Sequence, residues 1–335
     1  MKVPRHISIP RNRAVWWAAG AVAASALAIV YKARQAEHAN PPQGKFINIG
    51  DVKLHYRETG AGQPLVLLHG NGTMIQDYEI SGLVDQASTN YRVITFDRPG
   101  FGCTNRPRTT VWTAHAQAKL LSEAFDRLSL VRPVVVGHSW GTQVALALAL
   151  DHPEKVKSLV LLSGYYFPGF RLDVFLLSPP ALPVIGDLLR YTISPWVGRL
   201  IWPLILKKLF GPSPVPKRLR AFPTWMALRP SQLRAGAAES ALMVPGAAAL
   251  RRRYNELKLP VYIIAGEDDR IVNPHRQSAR LHDSIPQSEF RLMAGVGHMV
   301  HHTACDQVMD LIEQAAGSSS SPTRTSALST LDEAA

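Results

Sequence analysis

The chain has 335 residues, 46% of them hydrophobic and 19% charged, with a formal net charge of +12. Such a chain can bury a sizeable core, which excludes a disordered or fibrous protein and fits one large domain with an insertion. The basic excess is concentrated, with 14 Lys or Arg against 4 Asp or Glu in residues 167–258, and no nucleic-acid-binding motif surrounds it, so nucleic acid is not an expected partner.

Residues 1–13 form a basic flank with Lys2, Arg5, Arg11 and Arg13, and residues 14–31 carry no charge before Lys32 and Arg34. That length reaches the lower end of a transmembrane span, and Trp16, Trp17 and Tyr31 stand where interfacial aromatics belong. The segment is read as an uncleaved, single-pass membrane anchor, the alternative being a signal peptide cut after Ala24-Ser25-Ala26 or Ala26-Leu27-Ala28. The flanking charges put the N-terminus in the cytoplasm and the globular part outside, either anchored or exported. Residues 32–44 read as a linker.

Residues 45–166 are the first part of the core. A hairpin is expected from Lys45–Ile49 and Val52–Tyr56, then strands at Pro64–Leu68, Tyr91–Phe96, Val134–Val136 and Ser158–Leu162, with helices at Val111–Leu128 and Thr142–Leu150. The alternation predicts an α/β fold, a mostly parallel sheet with helices on both faces. Residues 167–258 break it with a Pro-rich, apolar, helix-like stretch read as an inserted cap. Residues 259–316 resume it with strands at Pro260–Ala265 and Glu289–Met293 and helices at about Pro274–Leu281 and Thr303–Ala315, and the Ser/Thr-rich residues 317–335 are expected to be a disordered tail. Cys103 and Cys305 make neither a disulfide scaffold nor a CxxC motif. They are read as free thiols, a single bridge staying open if the domain is exported.

The chemistry centres on Gly137-His138-Ser139-Trp140-Gly141, which joins a valine strand to an alanine-rich helix. A strand reversing into a helix within a few residues leaves no room for β-carbons beside the turn residue, so the two glycines mark Ser139 as an exposed nucleophile. A serine hydroxyl needs a base, an acid that orients the base, and donors for the oxyanion that forms. His298, in a glycine loop after the last strand, supplies the base. The acid follows the preceding strand, where Asp269 is chosen from Glu267-Asp268-Asp269, with Asp268 as its competitor. The backbone N–H groups of Asn71, in His69-Gly70-Asn71-Gly72, and of Trp140, at a helix start, are the expected oxyanion donors. Asp97 is assigned to organising its own turn, and His138 and His152 to structure. His301 and His302 near His298 have no carboxylate or cysteine at ligand spacing, so no metal is expected.

Taken together, over residues 44–316, these residues resemble the α/β-hydrolase superfamily: the order Ser139, Asp269, His298, the nucleophile turn, the His-Gly oxyanion loop and a cap between two strands. The resemblance implies that fold, a structural Asp97–Gly102 loop and no metal or organic cofactor. Thr142 stands where many members carry another glycine, and serine rather than aspartate at the nucleophile disfavours epoxide hydrolases and haloalkane dehalogenases. The expected function is a serine hydrolase of carboxylic esters, the cap's apolar residues pointing to a small-molecule or lipid-like acyl substrate and its charge to docking on anionic lipid. The alternatives on the same triad are a cofactor-free, haloperoxidase-like perhydrolase, a thioesterase and a carbon–carbon bond hydrolase, and from another class a slow-turnover ligand-binding receptor.

Overall fold

The computed structural model describes residues 13–317, so Lys2, Arg5, Arg11 and the expected tail from residue 318 lie outside the described residues. The first element is a single helix, α1 (Arg13–Ala39), of 27 residues. By length and composition it is apolar enough to cross a membrane. Its N-terminal half is bare, with Trp16 and Trp17 74% and 79% exposed. Its C-terminal half is docked: Ile29 and Ala36 are buried, and the Glu37 carboxylate lies 2.8 Å from the Arg229 guanidinium.

The expected linker therefore shrinks to residues 40–44. Residues 32–39 (Lys-Ala-Arg-Gln-Ala-Glu-His-Ala) are good helix formers, and nothing breaks the helix until Pro41-Pro42. Asn40 closes it, its side-chain amide donating to the Ala36 carbonyl at 2.8 Å.

The hairpin β1 (Lys45–Ile49) and β2 (Val52–Thr59) opens an eight-stranded sheet. It continues with β3 (Gln63–Leu68), helices α2 (Gln76–Ser81) and α3 (Leu83–Ala87), β4 (Tyr91–Phe96), α4 (Ala114–Arg127), β5 (Val134–His138), α5 (Gly141–Asp151) and β6 (Ser158–Leu162). The cap follows, with α6 (Leu172–Leu177), α7 (Ile185–Thr192), α8 (Ser194–Phe210), α9 (Thr224–Ala227) and α10 (Pro230–Leu250). Then come β7 (Val261–Gly266), α11 (Arg280–Ser284), β8 (Ser288–Met293), α12 (Val300–Thr303) and α13 (Cys305–Ala316). The spatial order is β1-β2-β4-β3-β5-β6-β7-β8, antiparallel through β1 and β2 and parallel from β3 and β4 onward.

The central strands are apolar on both faces, as parallel strands covered by helices on both sides must be. Val66, Leu68, Val135, Leu159 and Leu161 face a layer built by α4 and α5, while Leu65, Leu67, Val134, Val136 and Val160 face one built by α3 and α13. Two expected helices come out differently. The stretch from Pro274 begins as a π-type turn at His275–Ala279 before α11. That widened turn carries Gln277, whose side-chain oxygen accepts the amides of Tyr166 and Phe167, both at 2.7 Å, at the root of the cap. The last helix breaks at Ala304 into α12 and α13. Cys103 and Cys305 are free and half-buried.

The turn between β5 and α5 is the tightest place in the core. Ser139 has φ of +51°, the left-handed region that costs an L-residue roughly 1–2 kcal/mol. A β-carbon on Gly141 would lie 2.3 Å from the Leu68 carbonyl oxygen, which is backbone of β3 and cannot yield. Gly141→Ala should therefore destabilise the fold by roughly 3 kcal/mol, the upper range for overpacking, read as a shift in the urea midpoint.

Candidate active site

The strained turn lifts the Ser139 side chain off the C-terminal edge of the sheet, where open α/β sheets bind ligands. His298 arrives on the loop after β8, its backbone N–H held by the Leu209 carbonyl of the cap at 2.9 Å. Its Nε2 lies 3.0 Å from Ser139 Oγ, and its Nδ1 lies 2.7 Å from Asp269 Oδ2. The other oxygen of Asp269 accepts the amides of Ile271 and Val272 at 2.7 and 2.9 Å, which fixes the carboxylate plane. Asp268 points elsewhere and accepts the Gly295 amide at 3.1 Å. Ser139, His298 and Asp269 thus meet in one chain of contacts, and Asp268 is outside it.

The loop after β3 passes close by, since a β-carbon on Gly70 would sit 3.2 Å from Ser139 Cβ. The Gly70 carbonyl accepts from Arg98 Nη2 at 2.9 Å and from His69 Nδ1 at 2.8 Å. The Asn71 side chain is engaged with the cap, donating to the Gly236 carbonyl at 3.0 Å and to Ser240 Oγ at 3.2 Å. Trp140 follows the nucleophile, and its indole N–H donates to the Glu239 carbonyl at 3.0 Å.

Asp97 organises its turn, as expected: it accepts the amides of Ile75 and Cys103 at 3.0 and 2.9 Å and pairs with His55 Nδ1 at 2.7 Å. The residue beside it is one that sequence reasoning passed over. Arg98 is fully buried and donates to the His69 and Gly70 carbonyls, to Gln117 and, with both terminal nitrogens, to the Glu239 carboxylate. The available signal was Glu239 itself, the one acid of α10, set among alanines.

A second missed group is Asp77, whose two oxygens take His302 Nε2 at 2.8 Å and His301 Nε2 at 3.2 Å. Burial works against this carboxylate, but the two imidazoles win and hold it well below the usual range. Asp77, His138 and His301 bring ligand-type atoms within 4.8 Å of one another. Both carboxylate oxygens are already engaged by imidazole nitrogens, and burial holds His301 below its ordinary value against the pull of Asp77. His138 is driven well below its ordinary value, chiefly by burial with His301 and His298 adding, and as a neutral ring it donates from Nε2 to the His298 carbonyl at 3.2 Å.

A family model described as alpha/beta hydrolase fold matches residues 63–304. Among curated proteins, a 2-hydroxy-6-oxononadienedioate/2-hydroxy-6-oxononatrienedioate hydrolase of Paraburkholderia phymatum is 29% identical over 278 residues, covering 78% of this chain and 91% of that protein. A 2-hydroxy-6-oxo-2,4-heptadienoate hydrolase of Pseudomonas putida is 27% identical over 266 residues, with the same coverage of 78% and 91%. Among solved structures, a thermophilic esterase from Thermogutta terrifontis superposes with a TM-score of 0.67 at 21% identity, over 82% of this chain and 99% of that one. A meta-cleavage product hydrolase from Pseudomonas fluorescens superposes with a TM-score of 0.61 at 22% identity, over 83% and 99%.

One pH dependence follows from the buried imidazole under the oxyanion loop. His69 is pushed down to about 3, first by burial and then by Arg98, and its Nε2 accepts the Arg98 amide at 3.0 Å. The unfolded chain protonates this histidine near its ordinary 6.5 while the folded chain does not, so its stabilisation is complete above 6.5 and is lost as pH falls toward 3. At pH 5 the loss is about 2 kcal/mol. Urea midpoints measured near pH 7.5 and near pH 5 should differ by about that much less in His69→Asn than in the wild type.

Proposed function

Because the chain belongs to the α/β-hydrolase fold family and is an enzyme of that family, we propose that it is a serine hydrolase that cleaves carboxylic esters of apolar acids through an acyl-enzyme on Ser139. One observation carries this reading: Oγ, Nε2, Nδ1 and a fixed carboxylate stand in line at 3.0 and 2.7 Å. In it, Ser139 Oγ attacks the acyl carbonyl while His298 Nε2 takes the hydroxyl proton, and the charge on the imidazole is balanced by Asp269. The carbonyl oxygen becomes an oxyanion held by the Asn71 and Trp140 amides, neither of which donates to another group among the described residues. His298 gives that proton to the leaving alkoxide, then takes one from a water whose oxygen adds to the acyl carbon, and returns it to Ser139 Oγ as the acyl–oxygen bond breaks and the acid leaves.

The apolar substrate class rests on the surroundings. Phe175, Leu176, Leu200 and Leu204 of the cap are exposed, the last two on the helix whose Trp196 bonds Ser25 of a helix apolar enough to anchor the chain, and an ester partitioned into lipid would meet the enzyme there. In this reading α1 is a membrane anchor with the catalytic domain extracytoplasmic. A second reading, hydrolysis of a carbon–carbon bond next to a ketone, is favoured by the 27–29% identity to the dienoate hydrolases.

Fluorophosphonate labelling should occur in the wild type and vanish in Ser139→Ala. Asp269→Asn should lower kcat by about 10⁴, the loss expected when the acid no longer holds the imidazole tautomer, while Asp268→Asn should stay within a few-fold of wild type. Hydrolysis of p-nitrophenyl esters rising with acyl length, with no turnover of 2-hydroxy-6-oxo-2,4-heptadienoate, is the result expected of the ester hydrolase. The reverse pattern would assign the carbon–carbon reaction, and an unlabelled, inactive wild type would end the hydrolase reading.

A further inference from the structure

Away from Ser139, a cavity of about 360 Å³ opens between the loop after β4 and the cap, and five arginines line it: Arg106, Arg108, Arg190, Arg229 and Arg234. Their counter-charges do not balance them. Asp187 serves both Arg108 and Arg190, and Glu37 serves Arg229. The nearest acid to Arg106 is Glu239, 4.0 Å away and already gripped by Arg98, and Arg234 donates only to the Arg106 carbonyl. Five positive charges thus face two carboxylates of their own among the described residues, and three are left unbalanced.

Three further features make this a built site. Arg106 is almost fully buried, and its guanidinium is pulled down to about 10, by burial first and by Arg98 and Arg234 beside it, against Glu239. Arg190 is 2% exposed, lines the cavity, and has a buried Nε that donates to no group among the described residues. The N-terminus of α10 opens on the same space at Arg229, Pro230 and Ser231. The first helical bond there is from the Leu233 amide to the Arg229 carbonyl, so the Ser231 and Gln232 amides have no helical acceptor and present positive ends. A second cavity of about 270 Å³ shares the wall of Arg106, Arg108, Arg190 and Arg234 and is apolar beyond it, with Val111, Trp112, Leu182 and Leu242.

We propose that the arginine-lined cavity binds a phosphate group, its oxygens taking donors of Arg106, Arg108 and Arg234, the free Nε of Arg190 and the first-turn amides of α10. A phosphate dianion would neutralise two of the three unbalanced charges. It could be free phosphate or the head group of an anionic lipid whose chain lies in the neighbouring apolar cavity, and the experiment separates the two.

The test is isothermal titration of the full-length protein in detergent micelles with inorganic phosphate and with dihexanoyl phosphatidic acid. Saturable binding is expected, weakened about tenfold in Arg234→Gln and in the exposed-site variant Arg108→Gln, and unchanged in Arg252→Gln on the far, exposed turn after α10. Arg106→Gln should lose more, and Arg108→Gln keeps the test valid if that buried replacement unfolds the protein. Phosphatidic acid binding at least tenfold tighter than phosphate assigns the lipid head group, and equal affinities assign free phosphate. Absence of saturable binding to either, or an equal loss in Arg252→Gln, overturns the proposal.

Discussion

Arg98 is the point on which the active-site side of the molecule is assembled. Its guanidinium bridges the carbonyls of β3's loop, a glutamine of α4 and the carboxylate of Glu239 in the middle of the cap helix α10. Removing one partner of such a buried pair strands the other charge at about 3–5 kcal/mol, so the pair holds its geometry firmly even where an apolar replacement of both could be as stable. The result is mechanical. The carbonyl of Gly70, and with it the direction of the Asn71 N–H, is set by the same ion pair that fastens the cap. Glu239 adds a second tie through its own carbonyl to the Trp140 indole. Cap position and the setting of the Gly70-Asn71 peptide are therefore coupled through one ion pair.

Much of this was legible in the residues, and the division between what was and was not follows range. The strands from β3 to β8 announce themselves as short apolar runs because both of their faces are covered, and the elbow at Ser139 is readable because two glycines are a local steric requirement. Asp269 and His298 could be placed beside Ser139 because their loops follow strand ends. Arg98 and Glu239 lie 141 residues apart, and no local pattern can pair them. The same holds for Asp77 with His301 and His302, 224 and 225 residues away. The misplaced linker has another cause: residues 32–39 are polar enough to read as a connection, and only docking on the cap makes their helix propensity decisive.

The helix α10 has two roles. Its central turns, through Gly236, Glu239 and Ser240, hold Asn71 and Trp140 beside Ser139, while its first turn and Arg234 line the basic cavity. Part of the basic excess, five arginines, thus gathers where the loop after β4 meets the cap.

The docking of α1 also sets a depth. Ser25 is already tied to the cap, its hydroxyl donating to the Thr192 carbonyl at 2.7 Å and accepting the Trp196 indole N–H at 3.0 Å. From Arg13 to Ser25 a helix rises about 18 Å, well short of a hydrocarbon layer of about 30 Å. With α1 as the proposed anchor, the turns beyond Ser25 complete the crossing, and the cap packed on them goes down with them. Leu200 and Leu204, 79% and 68% exposed, then sit among acyl chains instead of water. An enzyme anchored in this way would not be a globe on a leash. It would be a partly sunken body with a fixed waterline, unable to roll about α1.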